Sequence, residues 1–370
     1  MSSNKKLSIS KVWSFVIKEI SFIKLDLAMV KPFRISLGST NSYEGYLVRI
    51  TTDDGITGFG EATSTPFITG DTMGSIEYEL KLFSEALKGK EESPELINEL
   101  TGKIVKTAKA SRNAIDCALW DIIGKRSKLN VKKLLGDYRN KIKTSYTVDL
   151  VSPEIARKQA IELLEKGVDI YKIKVGSGIE EDVDRVKTVR EIIGPDRMAY
   201  VDFNQAYTPR KAVEISRTLS KYGIEFLEQP VPMGDLKGLK YVRDRSEIPV
   251  FADEAIFTPY DVLNVLQSES ADGINIKLMK CGGITDAIKM VNIAEAFRSP
   301  VMIGCMVETR IANSAGLAVA LSKRQVKYAD LDGYSSIIED IASTGITFKE
   351  GYVSGSDLPG IGAEVKSGFF

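Results

Sequence analysis

Histidine is absent from all 370 residues. That absence removes Ser-His-Asp triads, Cys-His pairs, HExxH zinc sites and imidazole bases at once. Acid–base chemistry in this chain therefore has to run on Lys, Asp, Glu, Tyr or Cys. Cysteine is scarce: Cys117, Cys281 and Cys305 stand far apart, odd in number and without a CxxC pair, which argues against a disulfide framework and a zinc cluster. An excess of either charge is also missing, since Lys+Arg and Asp+Glu both count 50. With no basic stripe interleaved with aromatics, the chain carries no electrostatic footprint for nucleic acid. Long apolar runs are lacking too. The stretch KVWSFVIKEISFIKLDLAMV is broken by Lys, Glu and Asp every few residues, unlike a signal h-region or a membrane span. A soluble, cytoplasmic protein without a membrane partner is expected, long enough for one large domain or two.

What is present is a repeated alternation. From about residue 140 onward, short apolar strands (KTSYTVDL, VDIYKIKVG, RMAYVDFN, GIEFLEQP, IPVFADE, DGINIKLM, PVMIGCMVE, VKYADLD) alternate with amphipathic helical text. The strand-end residues Lys174, Asp202, Glu228, Asp253 and Lys277 follow one another at intervals of 28, 26, 25 and 24 residues. Repeated βα units of that size predict a parallel α/β barrel. A doubly wound open sheet is the alternative, but no GxGxxG follows a first strand. Residues 1–135 read as an α+β domain, with Asp54-Gly55 as a hairpin signal in YLVRITTDDGITGFGEA. Residues 136–340 read as the barrel. The Gly-rich segment 341–370 is too short for a domain and is expected to return to the first one.

Active sites of such barrels lie at the C-terminal ends of the strands. Asp202, Glu228 and Asp253 close three successive strands there. Convergent carboxylates repel one another unless a cation sits between them, and all-oxygen ligands favour a hard ion such as Mg²⁺. Each taken singly could instead be a polar strand end paired with a nearby Lys or Arg. Lys172 and Lys174 share one strand face by the period of two, and Lys277 ends the strand on the far side of the triad. Lys174 and Lys277 would then flank a metal-bound substrate, one on each face, as a pair able to remove and return a proton next to a carboxylate. In this reading Lys172 lowers the pKa of Lys174 by like-charge repulsion and contacts the substrate carboxylate.

Taken together, Lys-x-Lys, the Asp, Glu and Asp of three following strands, and the Lys of the next resemble the enolase superfamily in its muconate-lactonizing subgroup, over nearly the whole chain. The resemblance implies a modified TIM barrel, (β/α)7β, under an α+β capping domain completed by the C-terminal segment. It implies Mg²⁺ on Asp202, Glu228 and Asp253, Lys174 and Lys277 as acid/base pair, and Asn204 and Glu254 in support. Asp330 and Asp332 in ADLDG look like the Asp-x-Asp motif with which dipeptide epimerases hold the substrate ammonium, although the two could also bracket a turn at Gly333. IGCMVET, with Cys305, Met306 and Glu308, and FITGDTM are also similar to theirs.

The implied activity is epimerization of a dipeptide at the α-carbon of its C-terminal residue, in a homo-oligomer. In members acting on Ala-Glu, an arginine of the first capping loop reads the Glu side chain. Here KPFRISLGSTNSYEG offers Arg34, while alignment on KPF puts Gly38 where that arginine is expected. A different, uncharged C-terminal residue fits as well, with Phe33, Tyr43 and Phe67 lining its pocket. The alternatives are o-succinylbenzoate synthase or muconate cycloisomerase chemistry on the same residues, a Schiff-base aldolase that leaves the carboxylates without a role, and a non-catalytic barrel.

Overall fold

A computed structural model describes residues 15–36 and 38–370, apart from the side chain of Phe33. Readings that fall on residues 1–14, Leu37 or the Phe33 side chain lie outside the described residues.

The expected hairpin closes at Asp54-Gly55. Strands β1 (Ile17–Ile35), β2 (Gly38–Thr52) and β3 (Thr57–Thr63) form an antiparallel meander. The helix Lys109–Ser127 lies against β3, and the GFGEA stretch explains how closely. A Cβ on Gly58 or Gly60 would come within 2.1 or 2.0 Å of the carbonyl oxygens of Ala118 and Ala114, so only glycine permits this approach. Strand alternation then turns Glu61 and Thr63 to the opposite side, toward the barrel.

Two-residue β4 (Ile142–Lys143) leads into the barrel. Its strands are β5 (Ser145–Val148), β6 (Ile170–Lys174), β7 (Met198–Asp202), β8 (Ile224–Glu228), β9 (Val250–Ala252), β10 (Gly273–Lys277), β11 (Val301–Gly304) and β12 (Val326–Asp330), parallel and in chain order. Thr144 bridges Ala329 and brings the two edge strands together. A helix follows each strand except the last, so the architecture is the expected (β/α)7β barrel beside a separate antiparallel sheet. Helix starts are legible: Ser152, Thr208 and Thr258 each precede a proline at the first helical position, and the Ser152 and Thr258 hydroxyls accept from the backbone amides of Ile155 and Asp261.

Strand β14 (Tyr352–Ser354) pairs onto β4, and β13 (Thr347–Lys349) onto β14, in a sheet separate from the meander. Further along, Asp121 of the helix Lys109–Ser127 accepts from the amides of both Phe59 and Ile361, which links β3 to the C-terminal segment. The lower interior of the barrel is filled by aromatic rings. Phe226 stacks on Tyr200 and on Phe251 at centroid distances of 4.3 and 4.1 Å, with Tyr328 edge-on to both phenylalanines. Among the described residues, no helix is long and apolar enough to cross a membrane.

Candidate active site

Parallel register sets the rim. Lys174 pairs with Asp202 and Asp202 with Glu228, while Lys277 pairs with Gly304 and Gly304 with Asp330. Side chains that close these strands are thereby carried to one end of the barrel, where they meet the capping meander around a cavity of about 440 Å³. Lys172, Lys174, Asn204, Lys277, Cys305, Met306, Asp330 and Asp332 all stand in its wall.

Below that wall, one oxygen each from Asp202, Glu228 and Asp253 lies within 4.8 Å of the other two, and all three residues are fully buried. Ammonium groups surround them. Lys172 Nζ lies 3.0, 3.1 and 2.8 Å from carboxylate oxygens of Asp202, Glu228 and Asp330. Lys174 Nζ donates to Asp202 Oδ2 and Asn204 Oδ1, both at 2.7 Å, and Lys277 Nζ stands 2.8 Å from Asp253 Oδ2. Asn204 in turn donates to Glu254, so both supporting residues belong to the network.

Burial opposes charge on every one of these groups, and neighbours decide the outcome. For Lys172 burial works downward, but Asp202, Asp330 and Glu228 outweigh it and hold its pKa well above the ordinary value. Lys277 is likewise raised against burial, chiefly by Asp253. The lysines in turn hold Asp202 and Asp253 low, whereas burial and neighbouring carboxylates push Glu228 and Glu254 up. Lys172, read from the sequence as a like-charge neighbour of Lys174 and a contact for the substrate carboxylate, stands in the cavity wall with its ammonium among three carboxylates.

These residues fit a divalent cation. Three carboxylates converge there, and burial together with Asp202 and Asp253 drives Glu228 toward its neutral form, as expected of a carboxylate cluster short of positive charge. Glu228 Oε2 and Asp253 Oδ2 are buried and, despite the nearby lysines, accept no hydrogen bond of proper geometry. An all-carboxylate set selects a hard ion.

The two aspartates of ADLDG differ. Asp330 is occupied by Ser145 Oγ and Lys172 Nζ, both at 2.8 Å. Asp332 accepts from the amide and the hydroxyl of Thr147 through Oδ2, both at 3.0 Å, and no hydrogen bond among the described residues reaches its Oδ1. Arg34 is exposed and outside the cavity wall, where Lys31 and Ile35 stand instead. Gly38 does line the wall, and a Cβ there would meet the Phe67 ring at 3.0 Å.

Three residues escaped the sequence reading. Asn275 donates to Glu228 Oε1 at 2.7 Å; it sits two residues before Lys277, and the alternation that paired Lys172 with Lys174 would have found it. Lys280 donates to the side chain and the carbonyl of Asp253 from the turn after β10. Gln229, at a left-handed φ of 38°, accepts the amides of Asp253 and Ala255 and so orients the end of β9.

The chain as a whole has known counterparts. Residues 19–136 match the mandelate racemase/muconate lactonizing enzyme N-terminal domain, and residues 156–368 match the enolase C-terminal domain-like model. The chain belongs to this family. A hydrophobic dipeptide epimerase of Enterococcus faecalis is 39% identical over 318 residues, which is 85% of this chain and 90% of that protein. An L-Ala-D/L-Glu epimerase of Bacillus subtilis is 39% identical over 92% of this chain and 94% of its own. The structure of the Enterococcus faecalis dipeptide epimerase with Mg and L-Leu-L-Tyr superposes with a TM-score of 0.92 at 36% identity, covering 94% of this chain and 99% of that one. These relatives are epimerases, and this protein is an isomerase of the same family.

Proposed function

We propose that the protein epimerises a dipeptide at the α-carbon of its C-terminal residue by proton transfer between Lys174 and Lys277. The observation that carries this reading is the placement of the two lysines. They end β6 and β10, on opposite sides of the strands that bear the carboxylate triad, and both enter one cavity. A neutral lysine on one face takes the α-proton, and the ammonium of the other returns a proton to the opposite face. Asp202, Glu228 and Asp253 would hold Mg²⁺, which supplies positive charge to the substrate carboxylate as negative charge develops there.

Asp332 Oδ1 receives the substrate ammonium, its partner oxygen being anchored by Thr147. Asp330 acts one step back, through Lys172. Replacing Asp332 by Ala should raise KM for dipeptides about 10- to 100-fold, the cost of an unpaired charged hydrogen bond. N-acylated analogues, which have no ammonium group, should be spared. An unchanged dipeptide KM would return Asp332 to the role of a turn residue at Gly333.

The C-terminal side chain faces Ile35, Gly38, Phe67, Ile68 and Met306 in the cavity wall. Phe67 occupies the space over Gly38, and the nearby Lys31 is paired with Asp149. An apolar C-terminal residue is therefore preferred over Glu. Proton NMR in deuterated buffer with Mg²⁺, run against a panel of L,L-dipeptides, tests this directly. Loss of the C-terminal α-proton with growth of the L,D diastereomer, fastest for apolar residues, is expected. Absence of exchange with every dipeptide would overturn epimerization and direct attention to succinylbenzoate synthesis or lactonization.

A further inference from the structure

Glu61 has no place in the chemistry, yet it is fully buried and accepts from groups on both sides of the cavity. On the capping side, Oε1 accepts from Tyr43 Oη at 2.7 Å and from Thr63 Oγ1 at 3.3 Å. From the barrel side, Oε1 accepts the Thr309 amide at 2.9 Å, and Oε2 accepts the Thr309 hydroxyl and the Ala312 amide, the latter at 3.2 Å. Those amides open the helix Arg310–Ser322, whose N-terminal end favours a negative charge. Glu61 does not line the cavity. Its partners Tyr43 and Thr63 from the meander do, as do Cys305, Met306 and Val307 just before Thr309 in the segment that enters the helix.

The geometry points to Glu61 as a positioning residue: one carboxylate binds Tyr43 and Thr63 on one side and Thr309 and Ala312 on the other. It thereby fixes how the capping wall stands over the barrel wall. GFGEA acquires a single explanation. Gly58 and Gly60 seat β3 against the helix Lys109–Ser127, and the alternation that follows delivers Glu61 to the seam. A charged acceptor taking five donors at once is held far more firmly than a neutral contact.

The test is Glu61→Gln in the full-length protein with Mg²⁺. Glutamine keeps one acceptor and puts an NH₂ group where the other stood; the Thr309 amide faces one oxygen and the Ala312 amide the other, and an amide can only donate, so whichever way the side chain turns the seam loses a partner on the barrel side. Hydrogen exchange read by mass spectrometry should accelerate about tenfold in segments 38–45 and 305–312, as local opening becomes easier. The kinetic arm rests on the proposed function. There, dipeptide KM should rise about tenfold with kcat within about threefold, and the preference among C-terminal side chains should flatten. Tyr43→Phe, which removes one donor and no charge, should shift both readouts in the same direction by less, and it serves if the Gln variant does not fold.

Unchanged exchange in both segments would overturn the proposal, as would a fall in kcat with KM kept. Faster exchange with unaltered KM and selectivity would also overturn it, because the seam would then not set the cavity. If the wild-type protein acts on no dipeptide, the proposed function fails alone and hydrogen exchange decides the role of Glu61.

Discussion

Lys277→Ala is expected to stop epimerization, by about a thousandfold or more, while one epimer continues to exchange its α-proton with solvent deuterium. The asymmetry follows from position. Lys174 remains at the end of β6 and still reaches one face of the α-carbon, whereas the opposite face loses its acid and base together. The variant leaves the site otherwise intact, because Asp253 keeps Lys280 as its partner. Proton NMR of each pure epimer in deuterated buffer separates the outcomes. Exchange confined to one epimer supports one lysine per face, and equal exchange of both, or equal loss of both, would refute it.

The second large effect concerns the triad. Asp253→Asn removes a negative charge that both Lys277 and Lys280 address. Activity should fall by about a thousandfold or more, since the two remaining carboxylates would hold a divalent ion poorly among four ammonium groups. Wild-type protein should gain thermal stability on adding Mg²⁺, by about 2.7 kcal/mol at a hundred times the dissociation constant, and the variant should gain little. Melting curves with and without Mg²⁺ report this independently of turnover. Undiminished wild-type turnover after exhaustive treatment with EDTA would exclude the assigned ion.

Much of this was legible because strand geometry is simple. A period of two put Lys172 beside Lys174, and strand ends repeating every 24 to 28 residues placed Asp202, Glu228, Asp253 and Lys277 on one rim. The allocation of charge was not legible. Which carboxylates surround Lys172, and that Asp330 and Asp332 share a face yet answer to different partners, depends on distances between strands far apart in sequence. Lys280 and Gln229 escaped because they leave the strand: one lies on a helical turn, the other at a left-handed φ. Arg34 follows a break in register between Ala28 and Phe33, beyond which inward and outward positions cannot be counted from sequence.

The aromatic floor formed by Tyr200, Phe226, Phe251 and Tyr328 has a kinetic consequence. The floor closes the barrel beneath Lys172, and the cavity lies on its other side, between the strand ends and the capping meander. The two diastereomers of a dipeptide are close in free energy and carry the same carboxylate and ammonium anchors. Under the proposed function both diastereomers use this cavity, so product competes with fresh substrate for it and progress curves should slow before equilibrium. Net flow in either direction is then governed by whichever reaction removes one diastereomer from solution, and the enzyme itself imposes no direction.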